Sequence, residues 1–131
     1  MRLYIDTSIW LDVFFRRGNH GNIAFHLFQK ALRMNTEVVV SDLVIKELRR
    51  LGLPTDKIIG IFHSLKPVIR HIHMSRGQVQ EAKRLAKALR IPGGDALHAI
   101  LARDCAAVMV TRDRHFSRLA IVPVQKPEEL I

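Results

Sequence analysis

"VMVTRDRHF" (residues 108–116) runs an apolar, strand-forming stretch into a polar turn headed by Asp113. The start of the chain repeats the design, since "LYIDTS" (residues 3–8) closes a short apolar run on Asp6. In an open parallel sheet the functional crevice lies just beyond the carboxyl ends of the strands. Two acids at two such ends therefore meet in one crevice if both strands belong to one parallel sheet. The rest of the chain decides whether they do.

Working outward, strand-like runs alternate with stretches of helical period. Residues 2–5 predict a first strand and "SIWLDVFF" (8–15) a first helix, broken at Gly18 to Gly21. Residues 22–34 form a second helix with its apolar stripe at Ile23, Leu27, Ala31 and Met34. "EVVVS" (37–41) is a second strand, and Ser41 caps a helix over 42–51 that ends at Gly52 and Pro54. A further helix follows Pro54, and residues 67–74 alternate as a strand. Ser75 with Gln78 fits a capping box opening a helix to about Arg90. "IPGG" (91–94) is a turn before a helix that opens at Asp95. Residues 107–111 make a strand, a helical turn starts at Arg114, and 120–124 is an edge strand, because Pro123 has no N–H to give a ladder. This order predicts an α/β fold with a largely parallel sheet flanked by helices, in a single domain over residues 1–131.

The chain carries 21 Lys and Arg against 12 Asp and Glu, a formal charge of +9, which attracts polyanions. Nucleic acid is the commonest such partner. The one cysteine, Cys105, makes no internal bridge and sits in an apolar stretch, as a small buried hydrophobe. With no membrane-spanning run and no signal core, the expected compartment is the reducing cytoplasm.

In so basic a chain each acid needs a reason. Asp6 and Asp113 follow strands, where an acid also serves to cap the next helix. Glu47 shares the apolar stripe of its helix with Leu43, Val44 and Leu51, so its carboxylate must be paired, protonated or bound. Asp95 at a helix start is favoured by the helix dipole. Asp104, nine residues on, falls on the opposite side of that helix and outside any shared site. Asp12 is left undecided: it neighbours Ile9 and Val13 on its helix and could approach the crevice. Asp42, Asp56, Glu81, Glu128 and Glu129 read as surface acids.

The histidines give little support for zinc. His98 follows Asp95 at i, i+3, a chelating spacing, but no second histidine is in register, so a packed or hydrogen-bonded ring is the simpler reading. His71 and His73 alternate on one strand face without acidic company. His20, His26, His63 and His115 read as surface or boundary residues.

If Asp6, Glu47, Asp95 and Asp113 converge, their repulsion requires cations. An all-oxygen set suits Mg²⁺ or Mn²⁺. An acidic metal pocket in a basic surface is what phosphodiester cleavage needs: Lys and Arg hold the backbone, and the ion activates water and supports the departing oxygen.

"YIDTSIWLDVF", "SDLVIKEL", "GDALHAILA" and "VMVTRDRHF", in this order, resemble the motifs of the PIN domain family, in particular its VapC-type toxins. The resemblance covers essentially the whole chain. It implies a PIN-like, Rossmann-like parallel sheet and a Mg²⁺- or Mn²⁺-dependent ribonuclease. The acidic quartet falls on Asp6, Glu47, Asp95 and Asp113, as catalytic and metal-binding residues. A homodimer, a cognate antitoxin whose tail enters the active-site groove, and a structured RNA substrate such as tRNA or rRNA are also implied. Thr7, Ser8 and Thr111 resemble residues that orient carboxylates or water, although helix capping explains them too. Arg112 and Arg114, flanking Asp113 in an exposed turn, are candidates for RNA phosphate or simply solvated charge.

One departure stands out. Many relatives carry a further acid two residues after the fourth carboxylate, where this chain has His115. That puts a second metal position in question. It also keeps open a non-catalytic RNA- or partner-binding module on the same fold, and beside it a nuclease of RNA processing outside any toxin–antitoxin pair. A phosphorylated receiver domain is set aside, because its paired acids after the first strand are missing: Asp6 is followed by Thr7.

Overall fold

Every strand pairing in the computed structural model, which describes residues 1–131, is parallel. The strands are β1 (Arg2–Ile5), β2 (Glu37–Ser41), β3 (Ile69–Ile72), β4 (Val108–Val110) and β5 (Val124–Gln125), in the order β3-β2-β1-β4-β5. The helices are α1 (Thr7–Phe14), α2 (Gly18–Met34), α3 (Asp42–Arg50), α4 (Thr55–Ser64), α5 (Arg76–Leu89), α6 (Gly93–Asp104) and α7 (His115–Leu119). A 3₁₀ turn at Pro127–Glu129 follows β5. The chain thus folds as the α/β architecture read from its periodicities. No helix is long and apolar enough to cross a membrane.

The three central strands explain the apolar runs. Leu3, Tyr4 and Ile5, Val38 to Val40, and Met109 and Val110 are all buried, because a parallel sheet is covered on both faces. Trp10 of α1 stacks on Phe28 of α2 at 4.7 Å and meets the edge of Phe62 of α4 at 5.3 Å, so three helices share one aromatic cluster. Helix α6 is buried along Ala96 to Ala102; its small alanines let it lie close to neighbouring elements.

Four boundaries differ from the sequence reading by more than one residue. Gly18 to Gly21 do not break the chain but form the first turn of α2. A Cβ on Gly21 would lie 2.7 Å from the Asp12 carbonyl oxygen, so the glycine lets α2 approach α1 rather than ending a helix. Helix α6 starts at Gly93, with Pro92 as its N-cap, which puts Asp95 third in the helix. Strand β3 keeps only the middle of residues 67–74. Strand β5 comes after Pro123, not over 120–124: Pro123 contributes its carbonyl to Met109 N–H at 2.8 Å, and residues 120–122 lie outside the sheet. It is an edge strand, as Pro123 suggested.

Candidate active site

The site begins with the pairing of β1 and β4, whose register sets Ile5 opposite Val110. The ladder runs one residue further, since Asp6 N–H donates to the Val110 carbonyl at 3.0 Å. Beyond it Thr111 Oγ1 donates to Asp6 Oδ2 at 2.7 Å and accepts from Asp113 N–H at 3.0 Å. One hydroxyl therefore ties the two strand ends together. Ser8 Oγ also donates to Asp6 Oδ2, at 3.2 Å. Asp6 occupies the N-cap of α1, yet its side chain makes no capping bond. Capping does not account for this acid. At Asp113 it does in part, because Oδ1 accepts the His115 N–H at 2.9 Å.

Helix α6 brings the third acid. Asp95 is partly buried and makes no hydrogen bond or ion pair within the chain. Its carboxyl sits above the usual carboxylate range, first because burial penalises the charge and then because Asp113 and Asp6 repel it. Donor atoms of Asp95, Asp113 and His115 all lie within 4.8 Å of one another. His115 Nδ1 is 3.1 Å from Asp113 Oδ1. The surface reading of this histidine holds, since its side chain is 53% exposed, and its place two residues after Asp113 is what sets it beside the acids.

Glu47 stands outside that close group and is held by other means. Thr7 Oγ1 donates to Glu47 Oε1 at 2.9 Å, and His98 Nε2 donates to the same oxygen. Burial raises the pKa of Glu47, but the bonds from His98 and Thr7 outweigh it and hold the carboxyl below its ordinary value. Because both donors converge on Oε1, Oε2 is left without a protein partner. His98 is itself buried and hydrogen-bonded, as the simpler sequence reading had it. The requirement that Glu47 be paired is met by an imidazole and a hydroxyl, not by Lys or Arg.

The two arginines beside Asp113 differ. Arg112 is not an exposed turn cation: its side chain is 20% exposed, Nη1 donates to Glu128 at 2.6 and 2.7 Å, and Nε lies 3.9 Å from Asp12. Buried Asp12 is thereby accounted for, with Arg17 3.7 Å away on its other oxygen. Arg114 is exposed and has no ion-pair partner. Arg90 and Arg118 line a pocket of about 280 Å³ together with His115. Asp104 is exposed and bonded to Arg103 and Gln78, away from the site. His71 and His73 do have acidic company, contrary to the sequence reading, because both rings reach Asp42; α3 starts where β2 ends, and β3 runs alongside.

The chemistry of this donor set fits a divalent cation. A half-buried carboxylate without a partner, raised by burial and by the charges of Asp113 and Asp6, is relieved by a cation beside it. The donors that lie together are the oxygens of Asp95 and Asp113 and a nitrogen of His115, of the kind Mn²⁺ accepts more readily than Mg²⁺; Asp6, like Glu47, stands outside this close group and is tied to it through Thr111.

Comparisons with known proteins agree with this architecture. The PIN domain family model matches residues 3–122. Among solved structures, a chain of VapBC2 from Rickettsia felis, bound to a DNA fragment from its promoter, superposes with a TM-score of 0.72 at 19% identity, covering 96% of this chain and 98% of that one. VapBC-1 of nontypeable Haemophilus influenzae gives 0.70 at 17% identity, with 98% and 99% covered. VapC20 of Mycobacterium tuberculosis, a sarcin–ricin loop cleaving toxin, gives 0.69 at 20% identity, with 94% and 98% covered. At these identities the likeness is one of fold. No curated protein matches by sequence.

Proposed function

The chain belongs to the PIN domain family, and from that premise we propose that it is a metal-dependent endoribonuclease, the toxin of a VapBC-type toxin–antitoxin pair. The observation that carries the reading is Asp95, an unpartnered acid clustered with Asp113 and His115, its carboxyl raised first by burial and then by the charges of Asp113 and Asp6. A fold with no further task has no reason to keep that repulsion. The structural relatives include toxin–antitoxin assemblies and an RNA-cleaving toxin, which supports a cognate antitoxin as partner and structured RNA, tRNA or rRNA, as substrate. A homodimer and a cytoplasmic setting belong to the same proposal.

Asp6, Asp95 and Asp113, with His115, would hold Mg²⁺ or Mn²⁺. When bound, such an ion neutralises the crevice, lowers the pKa of water and supports charge on the departing 3′ oxygen. The protein's own groups do the rest. Thr111 and Ser8 fix Asp6 through its Oδ2. Thr7 and His98 keep Glu47 ionised and turn Oε2 free to accept a hydrogen bond from the attacking water. Glu47 thus orients the nucleophile. Arg114, Arg90 and Arg118 are unpaired cations suited to phosphate, and Arg112 holds the turn through Glu128 and Asp12.

The test is Asp6→Asn, which removes a charge without changing shape. The purified variant should melt as a folded protein and lose RNA cleavage by about 100-fold or more. Undiminished metal-stimulated cleavage would refute the reading. His115 in place of an acid is what favours a non-catalytic binding module, and absence of any melting shift with millimolar Mn²⁺ would decide for it.

A further inference from the structure

Strands β2 and β3 pair with Val40 opposite His71 and Ser41 opposite Ile72. Asp42 follows at once as the first residue of α3, so it stands beside His73, while His71 and His73, two apart on a strand, share one face. The side chains use that register. His71 Nε2 lies 2.6 Å from Asp42 Oδ1, and His73 Nδ1 lies 3.1 Å from both oxygens of the same carboxylate. The rings are 4.7 Å apart between centroids. None of the three shares a bond with Asp6, Asp95, Asp113 or Glu47.

Three observations set this cluster apart from an ordinary ion pair. Two imidazole nitrogens and a carboxylate oxygen, all within 4.8 Å, are the donor set of a three-ligand zinc site. In a chain with 21 Lys and Arg, Asp42 nevertheless has no partner among them; its charged-group contacts are the two histidines alone. The frame is also fixed, because Met74 N–H donates to Asp42 Oδ2 at 3.3 Å and His71 is held in a paired strand. Tetrahedral zinc, with bonds of about 2.0–2.1 Å, sets its donors about 3.3 Å apart. The two separations from Asp42 to the histidines, 2.6 and 3.1 Å, need to open only slightly, and all three donor atoms already lie within 4.8 Å of one another.

We propose that Asp42, His71 and His73 bind Zn²⁺ at a site separate from the acidic crevice, tying the start of α3 to the edge strand β3. Two nitrogen ligands select against Mg²⁺ and suit zinc. The outer nitrogens of the two rings have no protein partner and all three side chains are open to solvent, so water would complete the coordination and the ion would exchange rather than be locked in. Helix α3 carries Glu47 five residues beyond Asp42, so zinc here steadies the helix that presents a carboxylate to the active site.

The test melts the full chain, with Mg²⁺ saturating, against rising Zn²⁺. Wild type should gain about 5 °C or more at saturating Zn²⁺. His73→Gln, at a side chain 78% exposed, should lose most of that gain, and Asp113→Asn should keep it. No gain in wild type, an equal gain in His73→Gln, or a gain abolished by Asp113→Asn overturns the proposal. A parallel series with Mn²⁺ and no Zn²⁺ reads the crevice: there His73→Gln should match wild type and Asp113→Asn should fall short. The two sites therefore fail or stand separately.

Discussion

The Tyr4 hydroxyl lies 2.7 Å from Nδ1 of His98, and this contact fixes which ring nitrogen faces Glu47. Val44 N–H donates to Ser41 Oγ at 3.2 Å, and Ser41 Oγ lies 2.7 Å from the Tyr4 oxygen. The chain closes if Ser41 donates to Tyr4, Tyr4 donates to His98 Nδ1, and Nε2–H donates to Glu47. Were Nδ1 protonated, Tyr4 would turn to Ser41 and leave the Ser41 proton without an acceptor. Burial raises the pKa of Tyr4, so its hydroxyl keeps its proton across the working range.

Tyr4→Phe should therefore lower cleavage through Glu47 although Tyr4 touches no substrate. Loss of a group that orients an active-site side chain costs about 10–100-fold. Single-turnover rates at saturating RNA should fall by that factor, with RNA affinity unchanged. Equal rates for Tyr4→Phe and wild type would show that the chain of hydroxyls serves packing alone.

Asp95→Asn should raise the melting temperature in EDTA at neutral pH. Its folded pKa is above the unfolded value, so the folded state binds the proton more tightly and stability falls as pH rises from the ordinary carboxylate range through the raised value. The gain from the variant should be present at pH 7 and vanish below about pH 4, where both states are protonated. With Mn²⁺ the order should reverse, because the variant lacks a ligand. Melting curves over pH, with EDTA and with Mn²⁺, check both signs.

Gly21→Ala should destabilise, against the rule that alanine favours helix interiors by about 1 kcal/mol. The added methyl would meet the Asp12 carbonyl oxygen at 2.7 Å and the Arg16 backbone at 3.1 Å, backbone atoms that do not move without shifting α1 and the turn that follows it. Overpacking of this kind costs about 1–3 kcal/mol. Urea unfolding of Gly21→Ala and of the open-sided Gly60→Ala, which has nothing within 4 Å, separates crowding from propensity.

That glycine also marks where sequence reading reached its limit. Strands β1 and β2 were legible to the residue, because doubly buried parallel strands are unbroken apolar runs with acids or serines at their ends. The capping box of Ser75 and Gln78 was legible because its signal is local. Gly21 was not, since its reason is a neighbouring helix known only after folding. The same holds for Arg112, whose partners Glu128 and Asp12 come from opposite ends of the chain, and for Asp42, whose histidines lie about thirty residues away. In the candidate site, strand ends pointed to Asp6 and Asp113, whereas the closeness of His115 to Asp95 depends on how α6 meets the turn after β4.

His115 therefore invites a change of metal preference. It follows Asp113 by two residues, and its nitrogen lies within reach of the Asp95 and Asp113 oxygens. Nitrogen ligands favour Mn²⁺ over Mg²⁺, which dehydrates reluctantly and seeks oxygen. His115→Asp should tighten Mg²⁺ binding relative to Mn²⁺ by about tenfold, and His115→Ala should weaken Mn²⁺ by a similar factor. Calorimetric titration of each ion, alongside cleavage measured in each, checks the ratio. An unchanged Mg²⁺ to Mn²⁺ ratio in both variants would place His115 outside the coordination sphere and reduce its part to closing the turn with Asp113.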